Sequence, residues 1–352
     1  MRPGMAQTGL ASYPAGSGGK RDEAVLRASN LSRRFPIRSG VFGRATDYVR
    51  AVEDVSFAAV EGETLAIVGE SGCGKSTTGR LLMGLVQPDR GSVQFNGKLV
   101  GAPGGIPLKS FRQRVQMVFQ DSAGSLNPRL PIVDTIAFGP RVHGVGTAEA
   151  RTRAEALLSE VGLPPRIFAR RYPHELSGGQ RQRVNIARAL ALEPRVIIFD
   201  EAVSALDKSV SAQIINLLIK LRSERGLTYI FISHDLAVVE FISDRILVMY
   251  LGKVVESGPA ADLFSAPWHP YTHALLASRL HADPDRRVRE APTTGDPPNP
   301  IHPAPGCRFH PRCSMAERVC TANEPALQEA GTGSRMVACH AYRAGSGHSM
   351  AT

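Results

Sequence analysis

Three short segments are apolar without a break and end in polar residues: LAIVGES at 65–71, RVIIFDE at 195–201 and TYIFISHD at 228–235. Unbroken apolar runs of this length suit strands buried on both faces, as in a parallel sheet covered by helices. GKSTTGRLLMGLV follows the first run and QRQRVNIARALAL precedes the second, both with helical patterning. SVSAQIINLLIKLRSERG follows the second run, with apolar residues at helical spacing and a glycine at its end. Strand alternating with helix predicts an α/β fold with parallel strands. In such sheets chemistry gathers at the carboxyl ends of the strands, where the polar residues of the three runs stand. After Asp244, RILVMYLGKVVESG reads as two short strands joined by a tight turn.

Composition then divides the chain. Residues 1–23 are rich in Gly, Ser and Pro and read as a disordered leader. The alternating patterns occupy 24–265, read as the main domain. Residues 266–305 carry a helix pattern and then a proline-rich linker, PPNPIHPAP. A small separate cysteine-bearing unit is expected at 306–343, with a tail at 344–352. No repeat of 20–50 residues is evident.

At 352 residues and 43% hydrophobic, the chain suits a soluble globular protein with room for a real core. No stretch approaches the ~18–20 consecutive apolar residues of a membrane-spanning helix. The opening residues lack the apolar core of a secretory signal, so a cytosolic chain is expected. The net charge of +10 points to an anionic partner, whether nucleic acid, nucleotide or membrane surface, or to a basic surface kept for solubility.

GESGCGKS, residues 69–76, narrows that choice. It fits G-x-x-x-x-G-K-[ST] between a strand and a helix pattern, the context that the motif requires. Its glycines let successive backbone N–H groups point into one concavity, which holds phosphates at the helix N-terminus. The candidate nucleotide contacts are Gly69, Ser71, Gly72, Cys73, Gly74, Lys75, Ser76 and Thr77, with Cys73 as a small filler at a variable position. Lys75 would neutralise the β- and γ-phosphates and Ser76 would ligate Mg²⁺. Asp200, closing an apolar strand, would hold the same Mg²⁺ directly or through water. Glu201 beside it could polarise an attacking water, and His234 at the end of the next run could contact the γ-phosphate.

LSGGQRQR, residues 176–183, starts a further helix with Ser177, Gly178 and Gly179. Free N–H groups and a positive dipole end make it a second phosphate-binding surface. One loop already cradles the nucleotide, so a second is most useful if it closes on a nucleotide held by another subunit.

These stretches together resemble the ATP-binding subunit of an ABC transporter. Gly69 to Ser76 match the family's Walker A motif, Gln120 in QMVFQD the Q-loop, and Leu176 to Gln180 the signature. RVIIFDE matches Walker B, SALD with Asp207 the D-loop, and His234 the switch histidine. The resemblance implies a P-loop α/β fold: a parallel-sheet core, an antiparallel β subdomain and a helical signature subdomain. It implies head-to-tail dimers sandwiching two ATP molecules between Walker A and the signature residues Ser177, Gly178, Gly179 and Gln180, with Asp207 a further nucleotide-site residue. Gln120 would join Ser76 and Asp200 around Mg²⁺. Adenine would stack on an aromatic upstream of the P-loop; Phe35 best matches that position and Tyr48 is its rival.

FQDSAGSLNPR, DEAVSALD and SAPWHPYTHALLAS resemble the oligopeptide/dipeptide/nickel importer branch, and PPNPIHPAPGCRFHPRC its C-terminal extension. This implies an ATPase energising import of di- and oligopeptides, or of nickel or another small solute. It further implies two permease subunits, a second and paralogous ATPase, an extracytoplasmic solute-binding protein and a place on the cytoplasmic membrane face. Permease helices would dock beside the Q-loop, at about 120–141. A soluble ABC ATPase acting on ribosomes or DNA is the alternative; a single ATPase unit and the lack of sustained heptads argue against it, and no nucleic-acid partner is expected.

Cys307, Cys313, Cys320 and Cys339 are spaced C-x5-C-x6-C-x18-C. The spacing fits neither the usual zinc knuckle nor the ferredoxin patterns, leaving zinc, an iron–sulfur cluster and free thiols open. The branch resemblance implies a [4Fe-4S] cluster stapling a segment too small to bury much core.

Overall fold

Along each of the central strands, consecutive side chains go to two different cores. The computed structural model describes residues 24–39, 44–278, 299–330 and 334–351. The expected leader, residues 279–298 and the first two prolines of PPNPIHPAP within them lie outside the described residues. β1 (Ala24–Ser39) and β2 (Arg44–Val60) form a long antiparallel ribbon. β3 (Thr64–Val68) enters the central sheet and passes through the phosphate loop into α1 (Lys75–Leu82). β4 (Arg90–Phe95) and β5 (Lys98–Leu99) return to the ribbon, giving an antiparallel sheet of order β2-β1-β4-β5.

The chain re-enters the central sheet through α2 (Leu108–Arg114) and β6 (Val115–Val118). A helical layer follows: α3 (Ile132–Val142), α4 (Thr147–Glu160), the short α5 (Pro165–Phe168) and α6 (Gly178–Leu190). β7 (Val196–Asp200), α7 (Lys208–Arg225), β8 (Thr228–Ile232), α8 (Leu236–Ile242) and β9 (Arg245–Tyr250) complete the alternating part. β10 (Lys253–Pro259), α9 (Ala260–Ser265) and α10 (Pro270–Ala277) follow. The C-terminal region adds α11 (Arg318–Ala322), β11 (Gln328–Glu329) and β12 (Met336–Val337).

The central sheet has the order β11-β12-β10-β9-β3-β8-β7-β6. β9, β3, β8, β7 and β6 run parallel, as the unbroken apolar runs predict. Leu65, Ile67, Val196, Ile198, Ile230 and Ile232 face the core shared with the antiparallel sheet and α1. Ala66, Val68, Ile197, Phe199, Tyr229 and Phe231 face the core beneath the other helices. Alternate residues of a strand point to opposite faces, so burying both faces requires an apolar residue at every position. β9 and β10 pair antiparallel across the two-residue turn Leu251–Gly252, where φ is 43° and 81°. That turn type matches the twist of the flanking strands.

The cysteine segment, expected as a small separate unit, joins the central sheet. β12 pairs with β10 through Glu256–Val337 and Ser257–Met336. Glu256 is fully buried and its carboxylate accepts from the Trp268 and His269 backbone N–H groups at 2.9 and 3.0 Å. Arg335 completes its coordination at 2.9 Å and lies 3.6 Å from the centroid of the Trp268 ring. A buried charge persists only when paired and hydrogen-bonded, and this one ties β10, α10 and β12 together.

Candidate functional site

The phosphate loop is clamped between β9 and β2. A Cβ on Gly69 would lie 2.2 Å from the Met249 carbonyl oxygen, and one on Gly74 2.1 Å from that of Ala51. Both have positive φ, 149° and 108°, which glycine adopts without strain. Gly72 faces open space, with nothing within 4 Å of where a Cβ would be. α1 has no side-chain cap and no acidic residue in its first turn. Its leading N–H groups and positive dipole end are therefore available to an anion. Ser71 is exposed and Thr77 half-buried on this loop and first turn. Cys73 is buried, and burial pushes its thiol up, so it stays neutral.

Lys75 lies over the loop. Its Nζ donates to the Gly69 and Glu70 carbonyls at 2.8 and 2.9 Å. Ser76 Oγ donates to Asp200 Oδ1 at 2.7 Å, joining the starts of α1 and the end of β7. Burial of Asp200 pushes its carboxyl up, against the hydrogen bond from Ser76 and the charge of Arg80. A hydroxyl beside a carboxylate short of positive charge suits Mg²⁺, which takes few protein oxygens and completes its shell with phosphate and water.

Gln120 lines the same groove as Asp200, but its Nε2 donates to Glu201 Oε2 at 2.9 Å. On the other side His234 Nδ1 lies 3.3 Å from Glu201 Oε1. Glu201 follows β7 in the left-handed region, at φ 49°, with its N–H bonded to the Ile232 carbonyl at 2.9 Å. Non-glycine residues rarely sit there, and such geometry is kept where the surroundings impose it. The strained residue is thus the carboxylate just past the end of β7.

Ser177 caps α6: its Oγ accepts from the Gln180 N–H at 3.3 Å, and Gln180 Oε1 accepts from the Ser177 N–H at 3.0 Å. This box occupies an N–H group that the sequence alone left free. Gly179 has a second reason to lack a side chain, because a Cβ would approach Val210 Cγ1 of α7 to 2.5 Å. Asp207 is exposed at the start of α7. Phe35 is half-buried, its ring under the Arg33 guanidinium at 5.1 Å. Tyr48 is 49% exposed and stands three residues before Ala51, where β2 meets Gly74.

Two further residues reach the loop. Tyr271 of α10 accepts the Glu70 N–H at 2.7 Å, and Arg312 donates to both Glu70 oxygens at 3.0 and 3.1 Å. Separated from Glu70 by 201 and 242 positions, they carry no sequence signal of the contact.

The packing around the four cysteines does not support the metal site that the resemblance implies. Cys307, Cys313, Cys320 and Cys339 line one cavity, but its volume is about 10 Å³, room for no more than a single water. Burial pushes the Cys307 thiol up to about 12 and Cys339 up to about 11, and raises Cys313. Among the described residues no group of three or more His, Cys, Asp or Glu is arranged to hold a metal ion. Neither the [4Fe-4S] cluster nor zinc is supported, and the segment is built instead on apolar packing and the buried Glu256–Arg335 pair.

Comparison with known proteins agrees with the geometry of the phosphate loop. Residues 52–204 match the family described as ABC transporter, and 255–320 the oligopeptide/dipeptide transporter, C-terminal region. The probable peptide ABC transporter ATP-binding protein y4tS of Sinorhizobium fredii is 51% identical over 321 residues, 90% of each chain. The oligopeptide transport ATP-binding protein AppF of Bacillus subtilis is 48% identical over 328 residues, 91% of this chain and 98% of that one. The glutathione import ATP-binding protein GsiA of Pectobacterium atrosepticum is 54% identical over 281 residues, 79% of this chain but 45% of that one. All three are named as transport or import ATP-binding proteins. Among solved structures, cbiO1 from Clostridium perfringens aligns with a TM-score of 0.59 at 28% identity, covering 70% of this chain and 92% of that one. A dimeric ATP-binding cassette in a post-hydrolysis state with ADP and Pi aligns at 0.58 and 30% identity, covering 67% and 98%. The chain belongs to the ATP-binding subunits of ABC transporters, in the branch that carries the oligopeptide/dipeptide C-terminal region.

Proposed function

We propose that this ATPase energises uptake of di- and oligopeptides, working with two membrane permease subunits, an extracytoplasmic solute-binding protein and a second, paralogous ATPase. The single observation that carries the mechanism is the placement of Glu201 between Gln120 and His234. The loop N–H groups of Gly69, Ser71, Gly72, Cys73 and Gly74 bind the phosphates, Lys75 leaves its carbonyl partners to meet the β- and γ-oxygens, and Thr77 supports the helix start. Ser76, Asp200 and, once its amide turns, Gln120 hold Mg²⁺. Mg²⁺, when bound, offsets the charge that develops on the phosphates. Glu201 orients and deprotonates the water, with His234 fixing its carboxylate and reaching the γ-phosphate. Phe35 stacks on adenine.

Ser177, Gly178, Gly179, Gln180 and Asp207 complete the site across a head-to-tail dimer. The similarity to a dimeric cassette supports this arrangement. Beside Gln120 a groove of about 710 Å³ is lined by Phe119, Phe138, Arg188 and Leu192, with Phe138 58% exposed. An exposed aromatic beside a groove suits a docked helix, and the permeases supply it. No helix among the described residues is long and apolar enough to cross a membrane, so contact with the cytoplasmic membrane face runs through those permeases. Peptide cargo is supported by the names of the similar proteins y4tS and AppF.

The test is uptake of a labelled tripeptide by cells lacking this chain. Wild-type chain should restore uptake and Glu201→Gln should not. Equal restoration by both would overturn the role of Glu201; restoration by neither would overturn peptide cargo.

A further inference from the structure

We infer that α10 and the C-terminal segment together set the nucleotide affinity of the phosphate loop, through Tyr271 and Arg312 acting as positioning residues on Glu70. The inference rests on the proposal that this loop binds nucleotide, and Arg312 and Tyr271 lie outside every motif that defines the site.

Every polar group of Glu70 is held. Its N–H goes to Tyr271, its carbonyl to Lys75 and its carboxylate to both terminal nitrogens of Arg312. The Arg312–Glu70 pair is a two-pronged fork, the geometry that fixes direction as well as distance. Arg312 is largely shielded, at 13% side-chain exposure, while Glu70 is 36% exposed beside the loop. An aromatic cluster supports the contact from below. Tyr250 of β9 lies 4.6 Å from Tyr271 and 5.4 Å from Phe309, and Tyr271 lies 5.5 Å from Phe309.

A second arm reaches the other end of the loop. Arg308 donates to the Leu251 carbonyl and pairs with Glu53 at 2.9 Å. Gly252, next in that turn, donates to the Cys73 carbonyl at 2.8 Å and accepts from the Glu53 N–H at 2.8 Å. Two arginines four positions apart thus brace the loop at Glu70 and at Cys73. The electrostatic consequence is specific. A carboxylate on the loop repels the phosphates that the loop must bind, and Arg312 cancels that repulsion. Any displacement of the segment in the assembled complex therefore changes nucleotide affinity, and nucleotide binding changes the docking of the segment by the same factor.

The test uses the full-length chain, Mg²⁺ and the fluorescent nucleotide mant-ADP, with the melting temperature of each variant measured alongside. Arg312→Gln should weaken mant-ADP binding about tenfold. Glu70→Gln alone should bind at least as tightly as wild type, and the double variant Glu70→Gln with Arg312→Gln should recover to within about threefold of wild type. Tyr271→Phe keeps the ring packing and removes the acceptor for the Glu70 N–H, so it should weaken binding in a chain that is still folded at the assay temperature. The double variant and Tyr271→Phe decide the matter if Arg312→Gln does not fold. Wild-type affinity in both Arg312→Gln and Tyr271→Phe, or a double variant as weak as Arg312→Gln, overturns the proposal. A wild-type chain that fails to bind mant-ADP overturns the nucleotide reading itself.

Discussion

Glu201 and His234 follow different strands, yet the His234 Nδ1 lies 3.3 Å from the Glu201 carboxylate. β7 and β8 are parallel neighbours with Asp200 opposite Ile232, so residues just past each strand emerge at the same edge. Replacing Glu201 with Gln should leave ATP binding intact and lower hydrolysis roughly 10²–10⁴-fold, the loss of a positioned base. Single-turnover ATP hydrolysis by the purified transporter checks this, and near-normal turnover would remove Glu201 from the chemistry.

Ser177 begins α6, and its hydroxyl sits within its own capping box. Ser177→Arg should place bulk and charge at the dimer interface, suppressing hydrolysis while the variant's own loop still binds nucleotide. Loss of nucleotide binding by the isolated variant would mean that Ser177 does not act across the interface.

His269 is fully buried, its Nδ1 accepting from the Tyr271 N–H at 3.0 Å. Burial lowers its pKa from 6.5 to about 3, so it is neutral in the folded protein. Above pH 6.5 both states are neutral and it adds no pH dependence. As pH falls from 6.5 towards 3 the unfolded chain takes a proton that the folded chain refuses. Stability should then drop by about 1.4 kcal/mol per pH unit from this residue. Urea midpoints measured from pH 7 to 5 should fall less steeply in His269→Gln; an identical slope would rule His269 out as the cause.

Arg335 neutralises Glu256, which has no exposed surface. Arg335→Met should cost about 3–5 kcal/mol, because it leaves a buried carboxylate with only backbone partners. Adding Glu256→Gln should recover part of that loss. Chemical denaturation of the single and double variants checks this, and an unchanged midpoint in Arg335→Met would show that the pair contributes nothing to docking β12.

How much was legible in the sequence follows from what each residue touches. Leu65 to Val68 read as a doubly buried strand because burial on both faces leaves its mark on every position of the strand itself. The glycines of 69–74 and Lys75 were legible for the same local reason: an anion cradle is made from consecutive backbone groups. The four cysteines misled because spacing is silent about the volume between thiols, which the packing of the segment reduces to about 10 Å³. Gly179 was read for phosphate binding alone, and its approach to Val210 depends on how α6 meets α7.

By itself the sequence determined the parallel α/β core and the phosphate loop, and it offered Ser76, Asp200, Glu201 and His234 as candidates, since periodicity and short motifs are local properties. Only the tertiary structure decided that Gln120 turns onto Glu201, that Ser76 meets Asp200 across 124 positions, and that Tyr271 and Arg312 hold Glu70. Those contacts arise where parallel strands end together and where β12 adds its edge to β10, and pairing between distant strands is chosen by the packing of the whole chain.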